Sequence, residues 1–182
     1  MKIKLDNVRL AFPALFEAKT VNGEGDPAFS AALLMEPGHP AEAQLRAAFE
    51  QIGKEKWAAK WPAVKKEIEA KDRYCLHDGD LKSQYAGFEG NLYVSARSKT
   101  RPLVIDRDRS ALAASDGKPY AGCYVNASIE LWAQDNNYGK RINATLRGVQ
   151  FYKDGDAFAG GAPADADEFD DIAEGTTADD LV

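Results

Sequence analysis

The stretch CYVNASIELW, residues 123–132, alternates without a break: Cys123, Val125, Ala127, Ile129 and Leu131 point one way, and Tyr124, Asn126, Ser128, Glu130 and Trp132 the other. A period of two over ten residues predicts a strand with one buried and one wet face. Asp135-Asn-Asn-Tyr-Gly-Lys140 then reads as a hairpin tip. On the returning strand Ile142, Ala144 and Leu146 face inward, with Asn143, Thr145 and Arg147 outward. Gly148 marks a bulge, because Val149 and Phe151 continue the apolar set one residue out of step.

Outward from this hairpin the same period recurs. Leu92, Val94 and Ala96 oppose Tyr93, Ser95, Arg97 and Lys99, and Pro102 sets off the short run Leu103-Val-Ile105 as an edge or bend. Near the start, Ile3 and Leu5 share a face, and Val8 and Leu10 resume after the Asp-Asn pair. The turn cluster Gly23-Glu-Gly-Asp-Pro27 leads into Phe29, Ala31, Leu33 and Met35. Between Pro40 and Arg73 the spacing becomes helical (Leu45, Ala48, Phe49, Ile52, then Trp57, Trp61, Val64, Ile68), with a kink or restart at Pro62. Tyr74 to Gly90 reads as loop. About five strands, one inserted helical region and no βαβ rhythm predict a mainly β chain folded as a small, mostly antiparallel barrel.

Charge divides the 182 residues unevenly. Residues 1–153 carry all 23 bases against 19 acids, a net +4, whereas residues 154–182 carry ten acids and no base. The whole-chain charge of −6 therefore hides a mildly basic body. We divide the chain into a folded domain at 1–153, with its helical insertion at about 40–73, and an acidic tail at 154–182, too poor in apolar residues to order itself. No run of about 18 apolar residues could span a bilayer, and the start lacks the apolar core of a signal peptide. A cytoplasmic setting with Cys75 and Cys123 reduced is the expectation.

The outward face of the strands carries aromatics and bases together. Tyr93, Tyr124, Trp132 and Tyr138 could stack unpaired bases, and Arg97, Lys99, Arg101, Lys140 and Arg141 could neutralise the phosphates between them, as single-stranded nucleic acid requires. The competing reading is a merely solvated face. The helical lysines are matched by acids and read as solvated, and Trp57 and Trp61, one turn apart, read as packing that helix onto the barrel. A tethered polyanion should compete for a basic groove and, once displaced, recruit a partner through Glu168, Phe169, Asp170, Asp171, Ile172, Asp179 and Asp180.

Catalytic chemistry finds little support. His39 and His77 have no nucleophile at recognisable spacing, and Cys75-Leu-His77 lacks the second ligand pair of a zinc site. There is no phosphate-cradling glycine loop, and no metal or cofactor is expected. The runner-up function is a metal-dependent DNA nuclease using Asp78, Asp80, Asp106 or Asp108. A third is a protein-only adaptor acting through the tail.

Several segments together resemble the single-stranded DNA-binding proteins of tailed bacteriophages. They are Asp78-Gly-Asp-Leu-Lys82, Tyr85-Ala-Gly-Phe-Glu-Gly90, Arg101-Pro-Leu-Val-Ile-Asp106, Tyr120-Ala-Gly-Cys-Tyr-Val-Asn126, Leu146-Arg-Gly-Val-Gln150, Asp154-Gly-Asp-Ala-Phe158 and the acidic Glu168-Phe-Asp-Asp-Ile172. The resemblance implies one OB-fold with an acidic C-terminal tail, a role in phage replication and recombination, and location in the host cytoplasm. It also implies strand coating without sequence preference, tail contacts with replication proteins such as polymerase or helicase, and a homodimer or assembly along the strand. Related tails end in an aromatic residue, whereas this one ends Asp-Asp-Leu-Val with Phe169 set back.

Overall fold

The alternating stretch folds as the first half of a long hairpin, β6 (Tyr124–Asn136) and β7 (Gly139–Lys153). Asn136 pairs with Gly139 around a two-residue turn. The register shifts between Ser128↔Gly148 and Ile129↔Leu146, so Arg147 is the extra residue of the bulge predicted at Gly148. The computed structural model describes residues 1–21, 23–158 and 169–172. Its remaining elements are β1 (Lys2–Val21), β2 (Glu24–Met35), α1 (Pro40–Trp57), α2 (Trp61–Ala70), β3 (Leu76–Asp78), β4 (Leu92–Ser98) and β5 (Leu103–Ile105).

Five strands run in the order β4-β2-β1-β6-β7, each antiparallel to the next. One parallel pairing, Arg97 with Thr145, joins β4 to β7 and closes the barrel. Closure leaves the two short strands as additions, β3 beside β4 and β5 parallel to β7. The predicted barrel with its helical insertion is thus the architecture observed.

β1 serves two neighbours because it bends. Its registers shift between Leu5 and Val8 and again between Ala11 and Ala14, and Asn7 and Phe12 sit there at φ 53° and 47°. Those irregularities are why periodicity ends this strand at Leu10, whereas it continues to Val21. Inside, Leu5, Val8, Leu10, Leu33, Val94, Val125, Ile129, Leu131, Ile142 and Leu146 are sealed from solvent.

The helical insertion belongs to the same apolar cluster through Leu45, Phe49, Ile52, Trp61 and Ile68. His39 starts it: its Nδ1 accepts from Ala41 N–H at 3.0 Å while Nε2 meets the Asn7 carbonyl at 3.1 Å, tying the helix to the first bend of β1. Trp57 and Trp61 stack at 5.7 Å, and their indole N–H groups donate to Asp135 at 2.9 Å and Glu50 at 3.0 Å. Lys65 also bonds Glu50, and together with the Trp61 N–H it holds that carboxyl below the usual carboxylate range. Both tryptophans pack as the sequence predicts.

The folded body extends past the expected boundary at Lys153. Tyr120 donates its hydroxyl to Asp154 at 2.6 Å, Phe158 N–H donates to the Ala121 carbonyl, and Arg9 donates to the carbonyls of Gly122 and Asp156 while lying 4.4 Å from the Phe158 ring centre. A Cβ on Gly122, whose φ is +104°, would stand 2.2 Å from the Asp156 carbonyl oxygen. Missing side chains, which no hydrophobic period records, let these backbones touch. The expected disorder of 159–168 and 173–182 lies outside the described residues.

No described helix is long and apolar enough to cross a membrane. Cys75 and Cys123 are free and buried, and burial pushes their thiols up to about 12 and about 11.

Two outcomes follow from this packing. A Cβ at Gly53 would lie 2.4 Å from the Trp61 ring, so Gly53→Ala should cost about 1–3 kcal/mol, read as a lower urea midpoint at unchanged m. Both thiols should resist iodoacetamide at pH 8 in the native protein and react promptly in urea.

Candidate nucleic-acid interface

Where β4 and β7 meet they hold only the Arg97–Thr145 pairing, and towards their N-terminal ends they part. The preceding backbone fills each margin: Ser95 N–H donates to the Cys75 carbonyl at 2.9 Å, and Ile142 N–H donates to Arg73 at 3.2 Å. Between them opens a cleft of about 410 Å³ whose walls include His77, Ser95, Arg97, Trp132, Arg141 and Asn143.

Trp132 is 44 % exposed, unusual for an indole in a closed barrel, and its Nε1–H donates to Thr145 Oγ1 at 3.1 Å. That bond fixes the ring from the strand that closes the barrel. Arg97 and Arg141 flank it without an ion pair among the described residues. Two guanidinium groups beside an open aromatic face can meet phosphates while a base stacks. The adjoining outer face is shallow: Arg97 pairs with Ser30, and Ser95 with Ala32.

The other expected contacts are dispersed. Lys99 lies 3.5 Å from Asp26, both strongly exposed, and Arg101 lies over the Phe16 ring at 5.7 Å, so these two extend beyond Arg97. Tyr138 stands at the hairpin tip, 82 % exposed. Lys140 is 4.0 Å from Asp135 and lines the hollow under the helices instead of the cleft. Tyr124 is at the far end of β6, between Arg9 at 5.7 Å and Lys153 at 4.7 Å, in a separate hollow.

Tyr93 does not present a stacking face. It points outward as the alternation says, yet it is only 6 % exposed. The segment from Gly79 to Asn91 folds back over it, placing Phe88 at 5.1 Å, and together with Leu34 and Ala11 the two rings form a second small core. Gly79 permits this, since a Cβ there would lie 2.0 Å from the Phe88 carbonyl oxygen. Burial raises the Tyr93 phenol. Sequence reasoning weighs His77 only for catalysis and metal binding, whereas it lines the cleft, held 2.9 Å from Asp72, and it does not single out the exposed pair Phe12 and Tyr85. The only mark those two leave is an aromatic close to a turn-forming residue, Phe12 next to Pro13 and Tyr85 two before Gly87.

The four candidate metal carboxylates are occupied as loop caps. Asp78 accepts from Asp80 N–H, Asp80 from Gly90 N–H, and Asp108 from Ser110. Asp106 pairs with Lys118 at 2.9 Å, which holds its carboxyl below the ordinary range. Among the described residues no three potential ligands converge.

Against known proteins, residues 1–182 match the family model described as Enterobacter phage Enc34, ssDNA-binding protein. The chain belongs to this family. Protein p50 of Acyrthosiphon pisum secondary endosymbiont phage 1 is 49 % identical over 178 residues, 95 % of each chain. The Enc34 single-stranded DNA-binding protein, solved in complex with ssDNA, is 30 % identical with a TM-score of 0.71 over 87 % of this chain and 89 % of that one. The crystal structure of gp2.5, a single-stranded DNA-binding protein encoded by bacteriophage T7, is 13 % identical at a TM-score of 0.56, over 94 % and 96 % of the two chains, and speaks for the fold alone. The resemblance to phage single-stranded DNA-binding proteins read from the sequence is therefore shown, and it is a family defined by binding, not by a reaction.

Burial separates two aromatics that alternation groups together. Tyr93→Ala should lower unfolding free energy by about 3–5 kcal/mol, and Trp132→Ala by about 1 kcal/mol, in matched urea titrations.

Proposed function

We propose that this chain binds single-stranded DNA without sequence preference and coats exposed strands during phage DNA replication and recombination. The observation that carries the reading is Trp132, exposed between Arg97 and Arg141, which have no ion pair among the described residues, in the cleft beside the barrel closure. Membership of the Enc34 family and the likeness to a relative solved with ssDNA support it. Every base has a face for Trp132, and neither arginine is placed to read base edges through a rigid partner, so binding tolerates any sequence.

The acidic tail extends the reading. Phe169 and Ile172 are 70 % and 79 % exposed, and with Asp170 and Asp171 they offer apolar anchors in an acidic setting to a polymerase or helicase. Glu168, Asp179 and Asp180 lie outside the described residues. The same polyanion competes with DNA for the cleft.

Anisotropy with a labelled dT oligonucleotide and a matched duplex, across a salt series, tests this. Trp132→Ala should weaken single-strand binding by about 1–3 kcal/mol. Arg97→Ala and Arg141→Ala should each reduce the log K against log salt slope by about 0.7. Removing residues 160–182 should strengthen binding, most at low salt. Absence of salt-dependent binding in every form would leave the adaptor reading in its place.

A further inference from the structure

Phe12 is a bulky residue at φ 47°, a left-handed conformation that side chains of its size rarely adopt. Such a conformation persists where the surroundings impose it, and it concentrates at functional sites. Core packing is not what imposes it, because Phe12 is 54 % exposed. The bend in β1 instead turns the ring outward against Tyr85, 42 % exposed, at 4.9 Å and an interplanar angle of 84°. Phe88 braces Phe12 from within at 5.8 Å, and the group borders a hollow of about 360 Å³ that also meets Phe158.

The position of this pair matters as much as its exposure. Ala11, next to Phe12, pairs with Ala32, and Ala32 pairs with Ser95, which lines the Trp132 cleft. Two strand spacings of roughly 4.8 Å each separate the two places; Ser95 is exposed and Ala32 half-buried, while Ala11 is covered by Phe88, so a strand reaches Phe12 over the loop that carries Tyr85. Lys82 reaches over this face from the same loop as Tyr85, 5.3 Å from the Tyr93 ring centre. An exposed aromatic pair and a nearby cation on the face that leads to the cleft are the components of a stacking site.

We propose that Phe12 and Tyr85 form a second platform for an unpaired base, so that one strand crosses the β1–β2–β4 face from Trp132 to Phe12. This rests on the single-strand binding proposed above. The occupant is a nucleobase and not a protein, because the pair lies on the same sheet face as the Trp132 cleft and Lys82 stands on the loop that carries Tyr85.

The test uses the full chain and labelled dT oligonucleotides long enough to cover the face. Phe12→Gly relieves the left-handed backbone, so its melting temperature should equal or exceed that of the parent, while affinity falls roughly 5- to 100-fold and the salt slope stays unchanged, as for loss of a stacked base. Tyr85→Ala should weaken binding in the same way. In Phe12→Trp combined with Trp132→Phe, dT should quench the new indole. Unchanged affinity of Phe12→Gly, a lowered melting temperature with proportionate loss of binding, or an unquenched indole would each overturn the platform. A change in mass by light scattering with DNA affinity intact would overturn it in favour of a protein contact. Failure of the parent chain to bind dT would remove the proposed function itself and is a distinct result.

Discussion

A five-stranded sheet becomes a barrel only when its two outermost strands reach each other, and here they meet at one parallel pair, Arg97 and Thr145. Both residues do further work. Arg97 lines the cleft, and the Thr145 hydroxyl receives the Trp132 N–H. The hydrogen bonding that closes the fold and the side chains that build the candidate site therefore occupy the same two positions. Because the contact is confined to one pair, the strands part on one side of it, and the Arg73–Cys75 backbone that bonds to both of them there helps to line the cleft. A longer parallel ladder would have left no room.

Much of this was legible because the barrel obeys a period of two. The β6–β7 hairpin, its tip and its bulge, the inward set from Val125 to Leu146, and the restart at Pro62 all follow from spacing alone. What spacing does not carry is what lies on top of a strand. Tyr93 alternates correctly and is still buried, since Gly79 and Phe88 bring a loop across it. Lys140 and Arg141 are adjacent in sequence and part to opposite sides of the hairpin, which is the period itself, applied where both had been read as contacts. Phe12 was invisible for a different reason, because a bulge moves it out of phase with its own strand.

Close backbone approach is the second recurrent device. Gly122 admits the Asp156 carbonyl and Gly79 admits that of Phe88, and each glycine fixes a segment with almost no regular structure against the barrel. Arg9 completes the first of these junctions with two backbone acceptors and an aromatic face. Its charge is thereby committed to holding the chain where the acidic region begins.

The bond from Trp57 to Asp135 links parts that are far apart along the chain. Asp135 belongs to the hairpin whose outer strand face presents Trp132, and Trp57 ends the first helix of the insertion. In evolutionary terms the helical hairpin is consequently not a detachable module. A chimera that replaced it with a helix pair from elsewhere would keep the barrel topology yet lose the strut beneath the hairpin. The insertion and the hairpin are thus mechanically one unit, so a change at either end of that strut is felt at the other.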